Sequence, residues 1–336
     1  ELWTGEFDEA GNLQAVKKVA GAVDESIFQP QWSPDGTLHY VSDRSGWWNL
    51  YRTRDGSHES LCPMEAEFGL PQWVFGMSTY GFLSASKILC ARSSDGHWIL
   101  GVLDTDSAIM ADLDLPWTDF STVRTGADGA AFIAGSPTSP ASLIRLDPCS
   151  GATDTVRASC SAAVDPEYLS TPRPIEFPTA GGRTAHAFHY PPANLTCRVP
   201  ENASPPLIVC SHGGPTGATS SVLDMRIQYW TSRGFAVVDV NYGGSTGYGR
   251  EYRQRLDGTW GVTDVDDCIH AARYLVDEGH ADAARLTIRG GSAGGYTTLA
   301  ALTFHDVFAA GASHYGVSDL QALTEDTHKF ESRYLD

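Results

Sequence analysis

A serine in a glycine-rich turn, Ser292, has the surroundings that most directly indicate chemistry. The run 290–294 reads Gly-Gly-Ser-Ala-Gly; an alternating apolar stretch (285–289) precedes it and an apolar helical pattern (296–304) follows. Strand, sharp turn and helix in this order predict a nucleophile elbow. The outer glycines are required because side chains there would collide with the crossing backbone, while the serine takes strained backbone angles. The pattern therefore predicts acyl transfer at Ser292.

A second Gly-x-Ser-x-Gly match surrounds Ser245, just after the strand-like run 235–241. The residues that follow it, 248–253, are polar and contain another glycine. A helix that carries a nucleophile packs behind the sheet and should be apolar, as residues 297–302 are. We therefore interpret Ser245 as part of a glycine-rich loop beside the site; the alternative is that Ser245 is itself the nucleophile.

An acyl-transfer site also needs two backbone N–H groups that meet the developing oxyanion. One is expected from Ala293, the residue after the nucleophile, and the other from the loop that follows the buried strand 207–210. We assign the second donor to Gly214. His212 lies on the wrong loop for a base and is interpreted as a residue that shapes this loop. A substrate-contacting loop is predicted from four residues: His212, Gly213, Tyr242 and Ser245.

The base and the acid of a catalytic triad normally follow the nucleophile in this chain order. Only 44 residues follow Ser292, and their imidazoles are poor candidates: His314 ends the strand beside the elbow, while His305 and His328 are predicted to lie on helices. We therefore expect the triad Asp and His beyond residue 336. The chain is then truncated at both ends or one piece of a nicked protein, inactive alone, and a second chain or segment completes the triad.

Three carboxylates, Asp264, Asp266 and Asp267, begin a helix predicted over 264–278, with Thr263 as its N-cap and Asp266 at its third position. Acidic residues in a first helical turn interact favourably with the helix dipole, and this role is preferred here to a metal site. We expect no metal and no cofactor.

Composition excludes several classes of function. At 336 residues the chain is long enough for two domains. A net charge of −18 without a basic stripe argues against nucleic-acid binding, and no apolar run approaches a membrane span. Seven scattered cysteines without CxxC spacing indicate reduced thiols, and we expect a cytoplasmic protein. The sequons at Asn194 and Asn202 are interpreted as chance matches, although a secreted protein could be glycosylated there.

The first half contains a repeat. Pro30-Gln31-Trp32 recurs 41 residues later as Pro71-Gln72-Trp73, each expected to head a strand followed by turns and further strands. A weaker third copy covers 118–150, with its last strand at 143–147, and residues 1–8 resemble only a final strand. Periods of 40 to 50 residues with several strands are typical of β-propeller blades. We predict a partial β-propeller of about three and a half blades over 1–165; the alternative is a β-sandwich.

The second half, predicted as one domain over 166–336, alternates strands and helices. Strands are predicted at 175–177, 184–190, 207–210, 235–241, 285–289 and 309–315. Helices are predicted at 220–232, 264–278, 296–304 and 318–335. Continuous apolar strands alternating with helices predict a mostly parallel sheet that is covered on both faces.

Four ordered motifs carry a family resemblance: HGGPTG (212–217), VNYGGSTGYGREY (240–252), WGVTDVDD (260–267) and GGSAGGYTTLAAL (290–302). Together they resemble the prolyl oligopeptidase family of serine peptidases, and most of all its acylaminoacyl-peptidase and dipeptidyl-aminopeptidase branch. The resemblance implies an α/β-hydrolase domain, here lacking its C-terminal strands, beneath a propeller that screens substrates by size. It supports Ser292 as nucleophile. It also supports Gly214 with Ala293 as the oxyanion hole.

Two positions depart from the family pattern. Several members carry Tyr where this chain has His212, so both oxyanion donors must be backbone groups. An Arg is common where this chain has Gly243, and its absence puts a substrate-binding role of that loop in doubt.

These observations predict a serine peptidase that hydrolyses short peptides or N-acyl and aminoacyl peptides through an acyl-enzyme. One alternative is an amidase or esterase for small non-peptide substrates. The other is a non-catalytic binding protein that uses the propeller as its platform.

Overall fold

The computed structural model describes residues 1–161, 164–197, 200, 203–325, 327–331 and 334–335. Two kinds of sheet divide the described chain. Antiparallel sheets occupy the first half up to Ala158, and a six-stranded mixed sheet begins at Arg173. The predicted domain boundary between residues 165 and 166 falls in the segment that joins them.

The first half forms successive antiparallel meanders. A two-stranded sheet consists of β1 (Leu2–Phe7) and β2 (Leu13–Ala20). Three four-stranded sheets follow in chain order: β3 (Ile27–Trp32), β4 (Leu38–Ser42), β5 (Asn49–Arg54) and β6 (Ser57–Ser60); β7 (Tyr80–Phe82), β8 (Lys87–Ser94), β9 (His97–Asp104) and β10 (Ile109–Asp112); β11 (Asp119–Gly126), β12 (Gly129–Ser136), β13 (Ser139–Leu146) and β14 (Thr153–Ala158).

Neighbouring sheets share hydrophobic cores. Phe28 and Leu50 of the first four-stranded sheet pack in one cluster with Ile88 of the second. Leu89, on the other face of the second sheet, packs with Phe132 of the third. Each sheet therefore contacts the next in series, as propeller blades do, whereas a sandwich would pair two sheets across one core. The predicted propeller architecture is confirmed.

Three details of the predicted repeat are wrong. Trp32 ends β3 instead of heading a strand, and residues 71–73 lie in the long connection between β6 and β7, because Trp73 turns toward the second half of the chain. The strand at 143–147 is part of β13, and β14 follows it as the fourth strand. The N-terminal segment pairs as two strands, since β1 has β2 as its antiparallel partner.

The second half is built on one six-stranded sheet. Its strands are β15 (Arg173–Pro178), β16 (Thr184–Tyr190), β17 (Leu207–Ser211), β18 (Ala236–Asn241), β19 (Leu286–Gly291) and β20 (Ala310–His314). The spatial order is β15-β16-β18-β17-β19-β20. The first two strands run antiparallel, and β18, β17, β19 and β20 are parallel neighbours. The predicted mostly parallel α/β-hydrolase sheet is confirmed, and β17 and β19 lie side by side at its centre.

Five α-helices accompany this sheet within the described residues: α1 (Met225–Thr231), α2 (Gly249–Arg253), α3 (Thr263–Asp277), α4 (Ala293–Phe304) and α5 (Leu320–Glu325). The main core lies between the sheet and the pair α3 and α4, where Val265 and Ile269 pack against Val209 and Ile288. None of the described helices is both long and apolar enough to span a membrane.

Three helix predictions need correction. The helix predicted over 220–232 begins only at Met225, because the Asp224 side chain accepts a hydrogen bond from the Arg226 N–H and caps it. Thr263 is the first residue of α3 and not its cap. The long helix predicted over 318–335 is limited to α5 among the described residues.

Ion pairs tie the propeller to the α/β domain. Buried Asp43, after β4, accepts hydrogen bonds from Arg250 and Arg253 of α2, each at 2.7 Å. Glu67, in the connection between β6 and β7, is completely buried and accepts from the Gly249 N–H at 3.0 Å. The Arg253 guanidinium stacks on Trp48 at 4.1 Å and lies 3.6 Å from the Glu67 carboxylate. Buried acidic side chains of the propeller and arginines of α2 therefore form the contact between the two domains.

Substituting Glu67→Gln should flatten the pH dependence of stability. Burial raises the pKa of the Glu67 carboxyl to about 7, although the Arg253 charge partly offsets it. The folded protein then holds this proton more tightly than the unfolded chain does. The stabilisation that protonated Glu67 contributes is complete below pH 4.5 and is lost as the pH rises through about 7.

The free energy of chemical unfolding should thus fall by about 2 kcal/mol more between pH 5 and pH 8 for the wild-type protein than for Glu67→Gln. Glu9→Gln, at an exposed position, is the matched control and should follow the wild type. Equal pH profiles for Glu67→Gln and the wild type would contradict the assignment.

Candidate active site

Ser292 stands between β19 and α4 in a strained conformation. Its φ of 55° and ψ of −122° lie in a region that residues with a side chain rarely adopt. A methyl group added to Gly290 would lie 2.1 Å from the Gly294 carbonyl oxygen, and one added to Gly294 would lie 2.1 Å from the Ser211 carbonyl oxygen. No side chain fits at these separations, so the turn needs both glycines. The geometry is that of the predicted elbow.

The loop after β17 approaches Ser292 closely. A methyl group added to Gly213 would lie 3.4 Å from Ser292 Cβ and 4.0 Å from its Oγ. Within the described part of the chain, the N–H groups of Gly213, Gly214 and Ala293 donate no hydrogen bond. Ala293 is the first residue of α4, where the N–H has no acceptor inside the helix. Free backbone donors therefore flank the serine, on the helix and on the loop.

Side chains beneath this loop hold its carbonyl groups. The Tyr242 hydroxyl lies 2.8 Å from the Pro215 carbonyl oxygen and 3.1 Å from that of His212. The His212 ring stacks on Tyr242 with centroids 4.3 Å apart. The Thr246 N–H and hydroxyl donate to the carbonyls of Gly217 and Thr216 at 3.0 and 2.8 Å. The loop is therefore preorganised by the segment that follows β18.

His212 connects the two segments through both ring nitrogens. Nδ1 lies 2.8 Å from the Gly213 carbonyl oxygen and Nε2 lies 2.7 Å from Ser245 Oγ. Burial lowers the pKa of His212 to about 4, so the ring is neutral at pH 7. Because a carbonyl only accepts, Nδ1 carries the proton of the neutral ring, and the single proton of the Ser245 hydroxyl lies between His212 Nε2 and the Tyr242 carbonyl oxygen, each 2.7 Å from Oγ. A neutral ring with both nitrogens engaged in this way supports the loop and makes no hydrogen bond to Ser292 Oγ among the described residues.

The prediction that Tyr242 and Ser245 contact substrate needs correction. Both residues are 0% exposed, which leaves no surface for a ligand. Ser245 is equally inaccessible as a nucleophile, since it points at His212 and at the Tyr242 carbonyl oxygen. Their role here is to support the loop from within.

No imidazole in the described part of the chain hydrogen-bonds to Ser292 Oγ. His314 ends β20, and its Nε2 lies 3.4 Å from the Arg289 guanidinium, while its carbonyl oxygen accepts from the Ser292 N–H. His305 follows α4 and His328 lies outside α5, where it faces Glu331 at 3.7 Å; the prediction that these two lie on helices is wrong.

The carboxylates at the start of α3 face inward to hydrogen-bond donors. Asp264 accepts from the Thr297 hydroxyl of α4 and from the Gly261 N–H. Asp267 accepts from the Gly243 N–H and from the Thr179 hydroxyl. These contacts tie α3 to the elbow helix and to the loop after β18, a role that the sequence pattern did not indicate.

A cavity of about 840 Å³ opens beside the serine. Ser292, Gly213, Arg289 and His314 line one part of it, and Asp239 lies on the sheet beneath. Its size falls within the range of about 300–1,000 Å³ that small-molecule sites occupy. In the described ranges, no group of three His, Cys, Asp or Glu side chains has the arrangement of a metal site, and the seven cysteines are free.

Only one of the two sequon asparagines lies among the described residues. The Asn194 amide donates to the Ser232 carbonyl oxygen at 2.7 Å and its oxygen accepts from the Thr196 N–H, so its side chain is engaged. Asn202 lies outside the described residues.

The antiparallel blades and the elbow on a parallel sheet define a protein of the propeller and α/β-hydrolase class. Residues 221–336 match the family model described as the Prolyl oligopeptidase family. The predicted resemblance to that family is thereby confirmed.

Three comparisons describe the relationship. Dipeptidyl aminopeptidase BIII of Pseudoxanthomonas mexicana is 32% identical over 227 residues, covering 65% of this chain and 33% of the relative. The acylamino-acid-releasing enzyme of Arabidopsis thaliana is 35% identical over 119 residues, covering 35% and 16%. The crystal structure of puromycin hydrolase superposes with a TM-score of 0.95 at 42% identity, covering 100% of this chain and 51% of that one. The chain thus spans about half of that structure and a third of the first relative.

Proposed function

We propose that the protein is a serine peptidase that hydrolyses short peptides or N-acyl and aminoacyl peptides. The observation that carries the proposal is the strained Ser292 at the start of α4, with the free N–H groups of Ala293 and of the Gly213–Gly214 loop on either side. The two peptidase relatives, named for a dipeptidyl and an acylamino-acid activity, support the substrate class.

In the proposed reaction, Ser292 Oγ attacks the substrate carbonyl carbon while its proton passes to a base. The carbonyl oxygen becomes an oxyanion that accepts hydrogen bonds from the Ala293 and Gly214 N–H groups. The base returns the proton to the leaving amine and the C–N bond breaks. Water then attacks the acyl-enzyme by the same route and restores the Ser292 hydroxyl.

We further propose that a His and an Asp from outside residues 1–336 supply the base and the acid. Two observations support this: the described imidazoles make no hydrogen bond to Ser292 Oγ, and the chain spans only 51% of the puromycin hydrolase structure. Assay of residues 1–336 alone with an activated acyl ester tests it. Turnover close to that of an intact peptidase of this family, abolished by His314→Ala, would contradict it.

A second candidate is an amidase that acts on a small non-peptide substrate. It is favoured by one observation, the 42% identity over the whole chain to a protein described as puromycin hydrolase. A panel containing a dipeptidyl anilide with a free amino group, an N-acetyl-aminoacyl anilide and puromycin separates the two candidates. Turnover of the anilides supports the peptidase. Turnover of puromycin alone supports the amidase. A protein whose Ser292 reacts with neither the panel nor a fluorophosphonate probe would be a binding protein instead.

A further inference from the structure

A propeller residue, Trp73, reaches the loop that carries the proposed oxyanion donors. It lies in the connection between β6 and β7, half-buried, at the second copy of the Pro-Gln-Trp repeat. A methyl group added to Gly214 would lie 3.0 Å from Trp73 Cζ2, and one added to Gly217 would lie 3.5 Å from Cη2. The edge of the indole ring therefore packs directly on the backbone of the loop.

Hydrogen bonds fix the ring in this position. The Trp73 Nε1–H donates to the Tyr334 hydroxyl at 2.6 Å, and that hydroxyl lies 3.2 Å from Thr216 Oγ1. Trp73 is thus joined to the loop twice, by ring packing on Gly214 and through Tyr334 to Thr216. Trp32, at the equivalent position of the first repeat, is 59% exposed at the end of β3.

Gly214 needs such an outside contact. Its φ of +129° is open to glycine alone, and without a side chain it cannot anchor itself by packing. Contacts from within the α/β domain hold the carbonyls of His212, Pro215 and Thr216, but no described hydrogen bond is donated by the Gly214 N–H. The Trp73 ring is therefore the contact that restricts movement of this peptide from the propeller side.

We propose that Trp73 is a positioning residue for the oxyanion loop, so that the propeller contributes to stabilisation of the transition state. This inference rests on the proposed serine-hydrolase function. Misplacing a catalytic donor by about 1 Å can cost about 100-fold in rate. Because the loop donors act on the oxyanion and not on the bound substrate, the loss should appear in kcat and not in KM.

Steady-state kinetics of Trp73→Ala, Trp73→Phe and the matched control Trp32→Ala test the proposal in the form of the protein that hydrolyses an activated acyl ester. Trp73→Ala should lower kcat about 10- to 100-fold with KM nearly unchanged, for the small ester and for a bulky peptide anilide alike. Trp73→Phe should recover only part of the loss, because it keeps an aromatic ring but lacks the Nε1–H and the outer ring edge that contacts the loop. Trp32→Ala should match the wild type.

A loss confined to the bulky substrate and expressed in KM would overturn the proposal and make Trp73 a wall of the substrate site. Hydrogen exchange provides a readout that is independent of turnover. Amides of 212–217 should exchange faster in Trp73→Ala than in the wild type or Trp32→Ala, and unchanged exchange would overturn the proposal. If turnover survives Ser292→Ala, the proposed function fails, whereas the exchange result still decides whether Trp73 holds the loop.

Discussion

In the form of the protein that contains the base, replacing Ser292 by alanine is expected to lower kcat by about 10⁶-fold, which corresponds to about 8 kcal/mol of barrier. The substitution removes the proposed nucleophile, Ser292 Oγ, and Ser245 cannot replace it because it is completely buried. The loop donors and the cavity remain, so substrate binding should change little. Loss of the proposed nucleophile should therefore lower kcat and leave KM nearly unchanged.

Stopped assays with an activated ester, together with covalent labelling by a fluorophosphonate, measure this effect. Ser245→Ala is the matched control because it changes the serine of the second Gly-x-Ser-x-Gly sequence. Labelling should persist in Ser245→Ala, about 10-fold more slowly because His212 loses the partner of its Nε2. Labelling that survives in Ser292→Ala and disappears in Ser245→Ala would reverse the assignment of the nucleophile.

Gly294→Ala is expected to destabilise the protein by about 4 kcal/mol or more, which is exceptional for adding one methyl group. That methyl group would lie 2.1 Å from the Ser211 carbonyl oxygen and 2.6 Å from that of His212. Both atoms belong to the backbone at the end of β17, at the centre of the sheet, and cannot rotate away as a flexible side chain would. Either β17 or α4 must shift; Ala293 of α4 is one proposed oxyanion donor, and the loop after β17 carries the other, Gly214.

Equilibrium unfolding in guanidinium chloride measures the change. Gly126→Ala is the matched control, because a methyl group there meets nothing within 4 Å and the φ of this residue lies outside the left-handed region. Its free energy of unfolding should lie within about 1 kcal/mol of the wild-type value. If Gly294→Ala also remained within that range, the close packing of elbow and β17 would be disproved. Should Gly294→Ala fail to fold, the smaller effect expected of Gly126→Ala shows that the site, and not the substitution, is the cause.

The elbow could be predicted because its strand–turn–helix pattern is local: the apolar strand and helix around Ser292 have their own periodicity, and Gly290 is required by the Gly294 carbonyl oxygen four residues away. The requirement for glycine at position 294 comes instead from the Ser211 and His212 carbonyl oxygens, which are distant in the chain. The strand predicted at 207–210 could likewise be found from its continuous apolar run, which marks burial on both faces, and the strand predicted at 285–289 from its alternating apolar residues. The helix predicted over 318–335 is limited to Leu320–Glu325 among the described residues.

The sequence by itself thus determined that antiparallel blades precede an α/β sheet, and it determined the strand–turn–helix around Ser292 and the glycine loop that faces it. Only the tertiary structure decided what the remaining polar residues do. The two copies of Pro-Gln-Trp have the same sequence, yet Trp32 is exposed at the end of β3 whereas Trp73 packs on Gly214. Asp43 meets Arg250 across 207 positions of the chain. Such pairings join residues far apart in the chain, and a local pattern of residue types contains no information about which surfaces will meet.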